Sequence, residues 1–222
     1  ELQPLGVAAK ANQEITVYAQ GIPQGGKLTV YASQFNAEAS QWLSSMGEVQ
    51  NGRNILLTPK IGSQNTERGG SLYFTYTGPD PQNVQLHVRR ATDVPVLELS
   101  NWYAMTEAAK RNAITSYLEE LENYVAKNNF NNTNKTTSCL NVTEISTPTM
   151  LLSLPALAVQ NSAPTLGAKS ESLFNAVLAW EDLKHICKTT QGIDNTYSKN
   201  DMQSRQNVRC MQMFSGAFMY AA

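Results

Sequence analysis

Few residues of this chain can break bonds, and their spacing limits them further. The histidines are His87 and His185 alone among 222 residues. His87 alternates with Leu86 and Val88 in a strand-like run, and His185 stands beside Ile186 in a helical one. Neither has a second histidine at ligand spacing, so both read as structural or surface residues. No H-E-x-x-H occurs anywhere in the sequence. The sequence therefore assigns no catalytic residue and no metal ligand, and the chain by itself is expected to hold no cofactor. Glu181 and Asp182 are adjacent carboxylates, but sequence neighbours point to different sides of a helix. A solvated helix face is expected there, not an acid/base pair.

Cys139, Cys187 and Cys210 are too few for a disulfide scaffold and lack the C-x-x-C spacing of metal fingers. Two readings stay open: three buried thiols, or one disulfide in an exported protein. In the second, Cys139–Cys187 is favoured, because a polar loop and a helix end can adjust to bridge geometry. Cys210 lies in an apolar strand, where a free thiol packs well. Tyr18, Tyr31, Tyr73 and Tyr76 could act as stacking platforms for a glycan. They alternate with apolar residues, so at least half must face a core.

These residues need elements to position them. Residues 14–19 and 27–32 alternate apolar and polar side chains, with a Gly/Pro-rich connector at 21–26. Residues 54–58 and 84–89 read as further strands. Between them, Glu67-Arg68-Gly69-Gly70 runs into Ser71-Leu72-Tyr73-Phe74-Thr75-Tyr76, a half-buried strand by its period of two. Short strands at this spacing predict an antiparallel β-sandwich over residues 1–99. Pro95 marks residues 94–99 as an edge strand leading out.

The periodicity changes at Ser100. Ile114, Tyr117, Leu118, Leu121, Tyr124 and Val125 recur at three- and four-residue steps, one face of a helix capped by Ser100 or Asn101. Residues 128–137 form an Asn-rich polar loop carrying Asn-x-Thr sequons. Residues 149–155 read as a buried strand closed by Pro155, residues 171–188 as a second helix capped by Ser170, and residues 208–214 as a last strand. The class expected is α+β, with residues 100–222 as a mixed α/β domain.

Seventeen basic and eighteen acidic residues leave a net charge of −1, so no basic field invites nucleic acid. No apolar run approaches the roughly 20 residues of a membrane span. The charge-poor, amide- and hydroxyl-rich composition suits an exported protein, with any export signal expected upstream of Glu1 or already removed.

The order of these pieces resembles the front half of the enhancin-like, mucin-degrading zinc metallopeptidases. Leu5-Gly6-Val7 through Ile15-Thr16-Val17 is similar to the family's opening strands, and Leu56 through Phe74 to its passage into a "GG-x-x-Y" strand. Val94-Pro95-Val96 followed by Asn101-Trp102 resembles its handover from sandwich to peptidase domain. Met150 through Pro155, Leu178-Ala179-Trp180-Glu181-Asp182, and Met211 through Met219 resemble later strands and a Trp-acidic helix. The wording is most similar to the AcfD/SslE branch of surface-associated lipoproteins of Gram-negative enteric bacteria.

That resemblance implies a parent enzyme hydrolysing mucin-type or other O-glycosylated host glycoproteins. Zinc would be held on an H-E-x-G-H helix beyond the present residues, in a secreted or cell-surface colonisation factor. Residues 100–222 would be the opening part of the peptidase domain, inactive alone, and Phe214, Phe218 and Tyr220 would wall its cleft. For that Met/Phe stripe, core packing is the stronger expectation. A glycan-binding or adhesin module without catalysis is the alternative.

Overall fold

The computed structural model describes residues 2–34, 42–62, 67–80, 83–131, 133–134, 138–192 and 205–210. Phe214, Phe218 and Tyr220 lie outside the described residues. The chain divides into two compact units: Glu1–Val94 with Phe130–Val142 and Arg209–Ala222, and Pro95–Asn129 with Thr143–Val208.

The first unit is built of β1 (Gln3–Lys10), β2 (Glu14–Gln20), β3 (Lys27–Ser33), β4 (Leu43–Val49), β5 (Gly52–Leu57), β6 (Gly69–Thr77), β7 (Gln85–Arg89) and β8 (Thr92–Asp93). They form a five-stranded sheet, order β4-β3-β6-β1-β8, and a three-stranded sheet, order β5-β2-β7. The registered pairings in both are antiparallel. Ile15 and Val17 from the small sheet join Val7, Leu28, Val30 and Leu72 from the large one in a single apolar cluster. The two sheets therefore share one core, and removing their facing side chains from water is the main force holding them together.

β6 departs from the sequence expectation. Its first five residues are all buried, so it does not alternate. It lies between β3 and β1, with Leu72 in the shared cluster and Tyr73 fully buried beneath the Arg209 guanidinium, 4.6 Å from its ring centroid. A central strand covered on both faces loses the period-two signature. Gly69, at φ +113°, and Gly70 are required here: a Cβ on Gly69 would overlap the carbonyl oxygen of Ala9, and one on Gly70 that of Ser33.

The second unit holds β9 (Val96–Glu98), a 3-10 turn (Trp102–Ala104), α1 (Glu107–Lys127), β10 (Thr143–Ser146), β11 (Met150–Leu154), α2 (Ala156–Gln160), α3 (Leu166–Thr190) and all of β12 (Gln206–Arg209) but Arg209, which belongs to the first unit. Its sheet runs β12-β11-β10-β9, with β10 antiparallel to β11 and parallel to β9. A parallel pair needs a crossover, and α1 lies in the connection from β9 to β10. β9 is an edge strand preceded by Pro95, as its sequence predicted. The α+β class expected from the sequence is the class observed.

α1 buries the six residues its periodicity named. Its cap is Thr106, which accepts from the Ala109 amide, not Ser100 or Asn101. Asn101 instead precedes the 3-10 turn and makes no side-chain cap bond. α3 begins earlier than expected, at Leu166, where Thr165 accepts from the Ala168 amide. Arg111 of α1 bonds Glu107 at 2.7 Å and Glu171 of α3 at 2.6 Å, with its guanidinium 4.0 Å above the Phe174 ring. Trp102 packs on Phe174 with centroids 5.7 Å apart.

Candidate functional site

The second unit concentrates its buried polar groups around the sheet. β10 reads Thr-Glu-Ile-Ser, too polar to announce a core strand, yet all four residues are buried. Glu144 accepts from Ser153 Oγ of the facing strand at 2.7 Å. Thr143 Oγ1 donates to the Pro95 carbonyl at 2.8 Å, which leaves it to accept from Tyr117 Oη at 2.7 Å. Burial pushes the Tyr117 phenol well above its ordinary range.

Glu181 contradicts the solvated face expected of it. It is 1% exposed on the inner side of α3. One carboxylate oxygen accepts from Thr147 Oγ1 at 2.5 Å and Thr149 Oγ1 at 2.8 Å, and the other from Tyr103 Oη at 2.7 Å. The carboxylate thus ties three elements together: the 3-10 turn, the β10–β11 turn and α3. Loss of water, then the bond to Glu181, raises the Tyr103 phenol pKa. Hydrogen bonding of this kind satisfies a buried carboxylate and fixes its surroundings. With its oxygens occupied by hydroxyls of its own unit, Glu181 holds structure together. Asp182, its sequence neighbour, is exposed.

The unit also carries a cleft of roughly 580 Å³ whose polar lining residues are Glu122, Gln160, Asn161, Ser162 and Lys169, with Ala163 and Pro164 beside them. Lys169 is 9% exposed, and Gln160 Oε1 is buried without a hydrogen-bond partner. These groups suit a small polar ligand and contain no nucleophile paired to a base.

In the first unit, the four tyrosines separate. Tyr73 is core; Tyr31 and Tyr76 are half-buried. Tyr18, 38% exposed, remains on the surface of the three-stranded sheet. Its ring centroid is 6.3 Å from that of His87, and the Arg89 guanidinium sits 5.7 Å over it. Gln20 and Gln85 pair beside them at 2.6 Å. An aromatic ring flanked by amides and a guanidinium is chemistry suited to a sugar face.

All three cysteines are free. Cys139 does not belong to a pliable polar surface: it is 2% exposed and donates its thiol to Glu67 Oε2 at 3.5 Å. Burial, then the Glu67 carboxylate, raises its pKa far above 9.0. Cys187 and Cys210 are exposed.

Among the described residues no group of three His, Cys, Asp or Glu side chains could hold a metal ion. His87 is spent on the Tyr18 face, where it accepts from Arg89 Nε at 3.3 Å, and His185 is exposed on α3. The described residues do not fit a zinc site. Nor is any described helix long and apolar enough to cross a membrane.

No protein-family profile matches the chain, and no curated protein matches it. Solved structures do. A ZmpB metallopeptidase from Clostridium perfringens superposes with a TM-score of 0.73 at 20% identity, covering 99% of this chain and 42% of that one. The M60 catalytic domain of ZmpC from the same organism, solved with the sialyl T antigen, gives 0.65 at 22% identity, covering 100% and 42%. The catalytic module of the metalloprotease ZmpA from that organism gives 0.65 at 16%, covering 99% and 42%. The chain spans less than half the length of each. At these identities the likeness is one of fold: a mixed α+β chain with antiparallel sheets, as in part of an M60 domain.

Proposed function

We propose that this chain is the non-catalytic N-terminal portion of an enhancin-like zinc metallopeptidase that degrades mucin-type O-glycoproteins. The observation that carries this reading is the backbone likeness: 99% of the chain follows the ZmpB metallopeptidase at a TM-score of 0.73 while filling 42% of it. The missing H-E-x-x-H supports placing zinc and its ligands outside these 222 residues. The sialyl T antigen bound by the ZmpC domain makes sialylated O-glycans the substrate class to test first. The sequence resemblance to the surface-lipoprotein branch adds a cell-surface or secreted location in a Gram-negative bacterium and a role in host colonisation.

Metal analysis and mucin digestion test this reading. The 222-residue chain alone is expected to retain no stoichiometric zinc after dialysis and to cleave no mucin. The whole polypeptide encoded by its reading frame is expected to hold one zinc and to cleave O-glycosylated, not deglycosylated, mucin. Zinc retained or mucin cleaved by the short chain overturns the placement; a whole polypeptide that does neither overturns the peptidase.

The exposed Tyr18, with Arg89 over its ring and the Gln20–Gln85 pair beside it, favours a second reading as a glycan-binding module. Glycan-array binding by the short chain, abolished in Tyr18→Ala, would support it.

A further inference from the structure

The two long helices of the second unit differ in what they show to water. The outward residues of α1 are Glu, Asn, Ser, Lys and Ala throughout, as expected of a helix with one buried stripe. α3 carries large apolar side chains on its exposed side as well as its buried one. Phe174, Val177 and Glu181 point inward. About 150° around the helix, Ala176, Ala179, Trp180, Leu183, Ile186 and Cys187 form a second stripe at three- and four-residue steps, all exposed. Trp180 is 41%, Leu183 49% and Ile186 60% exposed. At 1.5 Å per residue the stripe is about 16 Å long, three turns of helix.

We propose that this outer face of α3 is the docking surface for an amphipathic helix of the same polypeptide, outside the present 222 residues. The inference rests on the metallopeptidase reading, in which the chain continues. The matched metallopeptidase chains carry more than half their length beyond the part this chain covers. The shape of the stripe selects the occupant. One straight ridge along a helix axis is the footprint of one further helix packed at about 8–10 Å. These six partly exposed side chains offer on the order of 400 Å², about half of what each partner buries in a standard-size dimer. A segment joined covalently acts at high effective concentration and needs no such area.

Cys187, exposed at the end of the stripe, is a built-in probe. Maleimide labelling of native protein is measured at low concentration on the 222-residue chain and on the whole polypeptide encoded by its reading frame. Cys187 is expected to label at least tenfold more slowly in the whole polypeptide. Leu183→Glu is expected to leave the melting temperature of the short chain unchanged and to restore fast labelling in the whole polypeptide.

Equal wild-type rates in the two proteins overturn the proposal, as do slow labelling in the short chain and a reading frame that ends at Ala222. Labelling of the short chain that slows as its concentration rises assigns the face to a second copy and overturns it too. Zinc content and mucin cleavage, read on the same preparations, separate the two ideas. A cleaving polypeptide with fast Cys187 removes the docking surface and keeps the peptidase. A protected Cys187 without zinc or cleavage does the reverse.

Discussion

Tyr103 donates its hydroxyl to the Glu181 carboxylate across 2.7 Å, joining a 3-10 turn to the inner face of a 25-residue helix. The Tyr103 ring is exposed while its partner is buried. Removing Glu181 leaves the Thr149 hydroxyl without its acceptor, while Thr147 keeps the Met150 carbonyl. Glu181→Ala is expected to cost on the order of 3 kcal/mol and Tyr103→Phe about 1 kcal/mol. Glu181→Gln, which keeps an acceptor, falls between. Urea unfolding of the three variants checks the order, and an unchanged midpoint for Glu181→Ala would show that the network does not stabilise the unit.

The paired glycines set the register of β6. Gly69→Ala places a methyl group against the Ala9 carbonyl, and Gly70→Ala against that of Ser33, in backbone conformations unfavourable to any side chain. Neither obstacle is a flexible side chain, so neither can swing away. Each substitution is expected to cost on the order of 3 kcal/mol. Thermal melting checks this, with Gly167→Ala as control, since the Cβ there meets nothing within 4 Å and its φ is not positive.

Stability is expected to fall on the alkaline side. The pKa values of Cys139, Tyr103 and Tyr117 are raised in the folded chain from ordinary values of 9.0, 10.0 and 10.0. Each keeps its proton when folded and gives it up when unfolded, so the folded state binds more protons above those values. Stability is then fully present below about pH 9 and declines as pH rises toward the folded pKa values. Melting temperatures between pH 7.5 and 10.5 test the slope, and Cys139→Ala is expected to remove its earliest part. A flat profile refutes the assignment.

The same burial controls thiol reactivity. In native protein at pH 8, iodoacetamide is expected to modify Cys187 and Cys210 and to spare Cys139, whose thiolate is suppressed. Mass spectrometry of a digest reads all three. Recovery of a Cys139–Cys187 linked peptide from a non-reduced digest would instead establish the pairing expected from the sequence.

Tyr18 separates the two functional readings. Tyr18→Ala removes an exposed ring, so it is expected to shift stability by no more than about 0.5 kcal/mol. A loss of glycan binding at unchanged stability would assign this face to sugar recognition. Glycan binding that survives the substitution would release Tyr18 from that role.

Local order was legible where one element decided its own burial. The six inward residues of α1 follow from a 3.6-residue period that any single covered face produces. Pro95 placed an edge strand because it cannot donate to a ladder. The polar strand β10, the uniform burial at the start of β6 and the satisfied carboxylate of Glu181 were not legible. Each depends on partners far away in sequence: Ser153 for Glu144, Arg209 for Tyr73, and Tyr103 and Thr147 for Glu181. Sequence alone determined which faces are apolar and that no H-E-x-x-H is present. Only the tertiary structure decided which polar groups go inside. A buried carboxylate is tolerated only where hydroxyls from other elements converge on it, and that convergence is a property of the fold, not of any local run of residues.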